Sequence, residues 1–268
     1  MRQPARPSLI GQEGGIPSTD LEPRSLAIAL SVLEGENYKA LRPLDYVLHL
    51  ANNTSDNINK FYEMNDKIRL WVMKAILQYG DVQRRAEIMT YFIKTALVSP
   101  RNGLHLCNAL KTLFQECCEM RDIFSSTAII SALDSAAIRG LTLTTKSLTC
   151  NKRKKLHKLY LDSKYRDTLK STLTTGKTGI PWLKVDLNEL EKTLSEHPVT
   201  IEEEGRHLIN LKRYIAFMKR STELLHDMPP FGGDHNQREK LECLLAQLRT
   251  ITYPQDTDKR LLARSATL

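Results

Sequence analysis

The stretch GKTG at 176–179 carries the tail of a phosphate-binding loop: Gly176, Lys177 and Thr178. The full motif, G-x-x-x-x-G-K-[ST], wraps phosphates in glycine amides between a strand and a helix. Here Ser171 holds the place of the first glycine, the residues before it have a helical period, and the loop runs into Pro181. A nucleotide cradle is therefore not expected. Of the seven histidines, none stands in H-E-x-x-H, and no Ser or Cys sits in a nucleophile-elbow sequence. Isolated histidines such as His105 and His226 read as solvated side chains on helices. Cys107, Cys117, Cys118, Cys150 and Cys243 show neither a C-x-x-C pair nor a His at ligand spacing. Adjacent Cys117 and Cys118 are badly placed for an ordinary disulfide. The expectation is five reduced structural thiols, no metal, no cofactor and no covalent catalysis.

The elements that position these residues are almost all helical by period. Leu26, Ala29, Leu30, Leu33 and Leu41 fall near one face, with Pro23 suited to a helix start. Phe61, Ile68, Trp71, Val72 and Ile76 make a second stripe, and Val82, Ile88, Met89, Phe92, Ile93 and Leu97 a third. Further helices are expected in NGLHLCNALKTLFQECC, in STAIISALDSAAI, after Asn151, and from His207 in HLINLKRYIAFMKRSTELL. The one β-like stretch is LTLTTKSLT at 141–149. The fold class is all-α. Breaks fall at 99–102, 174–181 and 227–237, where Pro and Gly cannot continue a helix. None is long enough for an interdomain linker, and no internal repeat is evident.

The chain has 268 residues, 41% hydrophobic and 26% charged, which suits a water-soluble globular protein. No run approaches the roughly 18 apolar residues of a membrane span. Residues 1–20 lack an apolar signal core and read as a flexible leader. A net charge of +8 invites nucleic acid as a partner. The dense cluster NKRKKLHKLYLDSKYR at 151–166, however, has Leu156, Leu159 and Tyr160 at helical spacing, so its charges read as the wet face of an amphipathic helix. No nucleic-acid reading motif accompanies it. An acidic protein or an anionic membrane surface fits the charge better.

Three stretches, in order, resemble the catalytic domain of Ras-family guanine nucleotide exchange factors. AIALSVLEGENYKALRPLDY, with Ala27, Leu30, Ser31, Leu33, Glu34, Tyr38, Arg42, Pro43 and Asp45, looks like that family's opening helix and turn. NDKIRLWVMKAI and VQRRAEIMTYFIKTA, followed by FSSTAIISALDSAAIRGL, are similar to its paired helices and I-I-S-x-L segment. YRDTLKSTLTTGKTGIPWLKVDLNEL and GRHLINLKRYIAF resemble its Y-R-x-x-L, P-C-V-P-F-x-G-x-x-L-T-D-L and V-N-F-x-K pieces. The implied organisation is a leader at 1–20, a catalytic domain at 21–250 and a C-terminal tail at 251–268.

The resemblance implies a single helical bowl with a protruding helical hairpin that binds a small Ras-like GTPase, of the Ras, Rap or Ral class, in the cytoplasm at the membrane where the GTPase is anchored. The segment after Ile180 would be the first hairpin helix. Trp182 takes the place of the family's aromatic after Pro, which anchors the hairpin base and touches the GTPase; it reads equally well as a core aromatic. Leu187 and Leu190 should pack inward. Asn188, Glu191, Lys192 and Ser195 match the positions pressed into the nucleotide site. Glu191 stands where the family has an apolar residue and Ser195 where it has a glutamate; Gly179 replaces a usual Cys, and Glu189 an Asp or Asn. Thr127, Ser131 and Asp134 match positions that meet the second switch, Arg139 follows in an aromatic's place, and Arg85 stands where it would meet an acidic switch residue. The implied activity is nucleotide exchange. A weakly active GTPase-binding scaffold stays open beside it, and a basic nucleic-acid binder is a third reading. The family's usual N-terminal helical module is not expected in the residues before 21, which leaves three alternatives open: a fragment of a longer chain, a hairpin held otherwise, or low activity.

Overall fold

The computed structural model of the chain describes residues 23–52, 54–96, 122–148, 180–225 and 257–268, with positions 242, 246, 248 and 251. The leader, all five cysteines, the basic cluster, the GKTG stretch and the 227–237 loop lie outside the described residues. The described elements are, in order, α1 (Pro23–Lys39), α2 (Pro43–Asn52), α3 (Asp56–Leu77), α4 (Val82–Ala96), α5 (Ile123–Leu133), α6 (Ala136–Arg139), α7 (Thr142–Ser147), α8 (Leu183–Ser195), β1 (Thr200–Glu203), β2 (Arg206–Ile209), α9 (Leu211–Leu224) and α10 (Thr257–Ala266). The architecture is helical, as the periodicity predicts.

α1 opens on Pro23, whose missing N–H costs nothing in a first turn. Its stripe Leu26, Ala29, Leu30 and Leu33 is buried against α3 and α4. The corner into α2 and α3 is polar. Asp45 accepts hydrogen bonds from the Arg42 amide (2.8 Å), the Ser55 hydroxyl (2.9 Å) and the Asn57 amide group (3.2 Å). Ser55 in turn caps α3 by accepting from the Ile58 amide.

α3 is the central helix. From Ile68 to Leu77 it faces a first core shared with α1, α4, α5 and α6, where the Trp71 and Phe92 rings meet edge-on at 5.3 Å. A second core gathers at its other end: Tyr38, Tyr46, Ile58, Phe61 and Phe124 meet Ile180, Leu183, Leu187 and Leu190 of the α8 segment and Phe217 and Leu224 of α9. Phe61 and Phe124 lie 4.0 Å apart between centroids at its centre.

Two expectations are corrected. LTLTTKSLT does not form a strand, because Leu141, Thr144 and Leu148 are the buried positions, a helical spacing, and α7 occupies Thr142–Ser147. The hydroxyls turn back onto the helix: Thr145 donates to the Leu141 carbonyl and Ser147 to that of Leu143. The helix expected from His207 begins at Leu211. Glu204 and Gly205 both take positive φ (51° and 74°), the two-residue turn that suits a twisted hairpin. Thr200–Glu203 therefore pairs antiparallel with Arg206–Ile209.

The residues set apart as a C-terminal tail include α10, which packs against α6 and α3. Leu261 enters the first core, Arg264 donates to the Leu77 carbonyl at the end of α3 (2.8 Å), and the Ser265 hydroxyl donates to the Ala137 carbonyl. The approach needs Gly140, where an added Cβ would lie 3.2 Å from the Ser265 hydroxyl. No helix among the described residues is long and apolar enough to cross a membrane.

Candidate functional site

The site is built on a joint. A parallel backbone bridge joins Asp122, at the start of α5, to Ile180, just before α8. Asp122 is buried and serves as the α5 N-cap, accepting from the Ser125 amide (2.9 Å) and the Ser31 hydroxyl (3.0 Å). Burial raises its pKa, and these bonds oppose the rise. Glu34 is also fully buried, and its pKa is raised well above the ordinary value by desolvation and then by the Asp122 charge.

From this joint α8 runs with a clean division of faces. Leu187 and Leu190 are buried in the second core, as expected, and so is Leu183; Asp186 is buried with them. Asn188, Glu191, Lys192 and Ser195 are all exposed, at spacings of three, four and seven residues, so they form one stripe. Lys192 lies 3.9 Å from Glu196, and both are mostly exposed, so that pair contributes little. Trp182, the α8 N-cap, is half-buried and packs on the second core. The residue is therefore neither fully core nor fully open.

α9 lies antiparallel to α8. Glu189 forms an ion pair with Arg220, and five residues along α8 the Leu194 carbonyl accepts from Arg213. Between the helices, every residue of the β1–β2 ribbon is exposed. On the body side stand His49 of α2 and Tyr62 of α3, with rings 5.9 Å apart. Burial lowers the His49 pKa, and nearby Glu191 opposes the change. Asp186, with one carboxyl oxygen unpartnered, is pushed up to about 8 by burial first, then by Glu189, against the opposing pull of Arg220. Tyr62 is raised to about 12 by burial and the Asp186 charge.

The second group is on α5 and its end. Thr127 and Asp134 are half-buried and Ser131 is exposed, one side of the helix, while Ile129 and Leu133 are core. Asp134 already has a partner: its carboxylate lies 3.5 Å from the Arg139 guanidinium, both on the surface. Arg85 does not belong to this face. It is 1% exposed, and its guanidinium donates to the Thr144 hydroxyl (2.9 Å) and to the carbonyls of Tyr79 (2.8 Å), Gly80 (2.9 Å) and Leu268 (3.3 Å). The expectation that Arg85 meets a switch residue is corrected: its charge is spent inside, tying the α3–α4 turn to α7 and to residue 268.

Sequence reasoning missed Asp122, Asp186, Arg213 and Arg220. A carboxylate among leucines, as in LKVDLNEL, is a readable signal for Asp186; the cross-helix partners required the register of α8 on α9.

The model of the RasGEF domain matches residues 25–220. The chain belongs to the RasGEF-domain family. Among curated relatives it is 26% identical over 255 residues to the guanine nucleotide exchange factor SDC25 of Saccharomyces cerevisiae, covering 87% of this chain and 19% of that protein. It is 26% identical over 239 residues to cell division control protein 25 of the same yeast (83% and 13%). It is also 26% identical over 224 residues to the Ras-specific guanine nucleotide-releasing factor RalGPS1 of Gallus gallus (77% and 35%). This RasGEF-family chain thus spans about a fifth of the length of the first of these relatives. The family match takes in most of both cores, α5, α8, the ribbon and α9 as far as Arg220.

Proposed function

We propose that this chain promotes release of GDP from a Ras-like small GTPase. The observation that carries the reading is the stripe Asn188, Glu191, Lys192 and Ser195, left in solvent on a helix whose other face is anchored in the second core of a RasGEF-family chain. In this reading α8 and α9 form the family's hairpin and Trp182 its base. Thr127, Ser131, Asp134 and Arg139 dock the second switch while the α8 stripe enters the nucleotide site. The relatives' names point the same way, two being nucleotide exchange or releasing factors.

The chemistry needs no bond broken in a substrate. A partner that binds the nucleotide-free GTPase more tightly than the loaded one weakens nucleotide binding by the same factor, about 1.4 kcal/mol for each factor of ten. Glu191 supplies a negative charge where phosphates would sit, and its repulsion adds to the steric wedge. Lys192, one residue on, competes for acidic groups that would otherwise hold the metal-bound nucleotide. The partner is of the Ras, Rap or Ral class, reached at the cytoplasmic membrane surface where such GTPases are anchored; the net charge of +8 favours approach to anionic lipid.

Glu191 and Ser195 also favour a second reading, a GTPase-binding module whose wedge is blunted. Equilibrium binding to one GTPase in nucleotide-free and GDP-loaded forms separates the two. Exchange activity predicts at least about ten-fold tighter binding to the empty form; equal affinity contradicts it and leaves the scaffold.

A further inference from the structure

The far end of α8 presents a physical problem. A helix leaves its last four carbonyls without intrahelical donors, and the ribbon that follows α8 is exposed at all eight positions, so burial does not fix it. Polar groups of α9 take over. The Arg213 guanidinium donates to the carbonyls of Leu194 and of His197, the latter at 2.6 Å. Asn210, itself 5% exposed, donates its side-chain amide to the Pro198 carbonyl (2.9 Å) and its backbone N–H to that of Val199 (3.0 Å). Glu196 N–H and the Ser195 hydroxyl meet the Lys192 carbonyl (3.0 and 2.7 Å). Two residues at the start of α9 thus close four carbonyls between 194 and 199. Arg213 is the only one of the two that reaches into α8 itself. Its fork can serve two acceptors at once, and its positive charge sits at the negative end of the helix dipole.

We propose that Arg213 is a positioning residue for exchange: it holds the last turn of α8, and so Glu191, Lys192 and Ser195, in the arrangement that meets the GTPase. The inference rests on the reading of α8 given above. Without the clamp the last turn frays, and the cost of ordering it falls at the moment of insertion, when the wedge must displace nucleotide. The α5 docking face is untouched, so initial binding is preserved.

The test compares wild type, Arg213→Ala and Arg213→Lys in two measurements on the intact chain. The first is backbone amide hydrogen exchange, followed at the N–H groups between residues 194 and 199, where Pro198 has none, and, as a folding control, along α3. Release of a fluorescent GDP analogue as a function of chain concentration, from whichever Ras-class GTPase the wild type accelerates, is the second. Arg213→Ala is expected to speed exchange of the 194–199 amides about ten-fold, the value of a lost charged hydrogen bond. The same variant should lower the maximal release rate by a similar factor while moving the half-maximal concentration less than about two-fold. Arg213→Lys, which keeps the charge and N–H donors but not the planar fork, is expected to recover part of both. Unchanged amide exchange at 194–199 overturns the clamp. Faster amide exchange with an unchanged maximal rate overturns the positioning role alone. If Arg213→Ala loses α3 protection as well, Arg213→Lys decides: folded but as impaired in release as a GTPase-site variant overturns the proposal, and folded with release at least partly recovered supports it. A wild type that accelerates no GTPase overturns the exchange reading instead.

Discussion

Asp186 is a carboxylate held in an environment that its type does not prefer. Its folded pKa, about 8, lies above the ordinary value of 3.8, so the folded state keeps a proton that the unfolded chain gives up. The stability linked to that proton is full below about pH 4 and is lost as pH rises through about 8. Glu34 and Asp122 act in the same direction. Denaturant unfolding at about pH 5.5 and about pH 8.5 should therefore favour the lower pH, and Asp186→Asn should narrow the gap by gaining stability at the higher pH. A gap that the substitution leaves unchanged contradicts the assignment. At the surface, Arg139 occupies Asp134 before any partner arrives. Arg139→Ala and Asp134→Ala should each weaken GTPase binding by about three-fold, the scale of an exposed charged contact worth up to about 1 kcal/mol; tighter binding by Arg139→Ala would mean that the arginine only competes for Asp134 and does not touch the partner. Glu191→Leu and Ser195→Glu address the wedge. Loss of exchange in Glu191→Leu supports a working electrostatic wedge, whereas a large gain in Ser195→Glu without loss in Glu191→Leu marks the natural one as blunted.

At the level of elements, the amphipathic helices were legible because their apolar residues repeat at 3.6. Leu26, Leu30 and Leu33, and Ile68, Trp71, Val72 and Ile76, are buried where the period puts them. α7 and the ribbon were not. LTLTTKSLT alternates like a strand, yet its local hydroxyl bonds and the burial of Leu141 and Leu148 make it helical, a tertiary preference over a local one. The ribbon turn needed positive φ at Glu204, which its residue type does not advertise. The α8 stripe was readable because Leu187 and Leu190 fix the inward face. The place of Arg85 is not legible, because an arginine bonded to three carbonyls and a threonine hydroxyl looks no different in sequence from a solvated one. Arg85→Ala should cost about 3 kcal/mol in denaturant unfolding, since several buried acceptors lose their donor. A loss under about 0.5 kcal/mol, typical of surface changes, would contradict the internal role.

At the scale of the molecule, two cores among the described residues divide the labour along α3. One, with α1, α4, α5, α6 and α10, makes the body; the other, with Phe61, Phe124 and the leucines of α8, mounts the α8–ribbon–α9 unit on it. The bridge between Asp122 and Ile180 places both candidate contact surfaces on one joint, so a partner gripping α5 would find α8 already oriented. The motifs that carry the family resemblance and fall within the described residues lie on α1, α3, α4, α5 and the α8–ribbon–α9 segment, the elements that line the two cores. Trp182→Ala should loosen that mounting and lower exchange together with stability, the mark of a ring that is part core and part contact. The central claim is exchange itself, and release of a fluorescent GDP analogue from a panel of Ras, Rap and Ral proteins, with and without the chain, tests it most directly. The account predicts faster release for at least one member, abolished in the quadruple substitution of Asn188, Glu191, Lys192 and Ser195 to Ala; no acceleration for any member would contradict it.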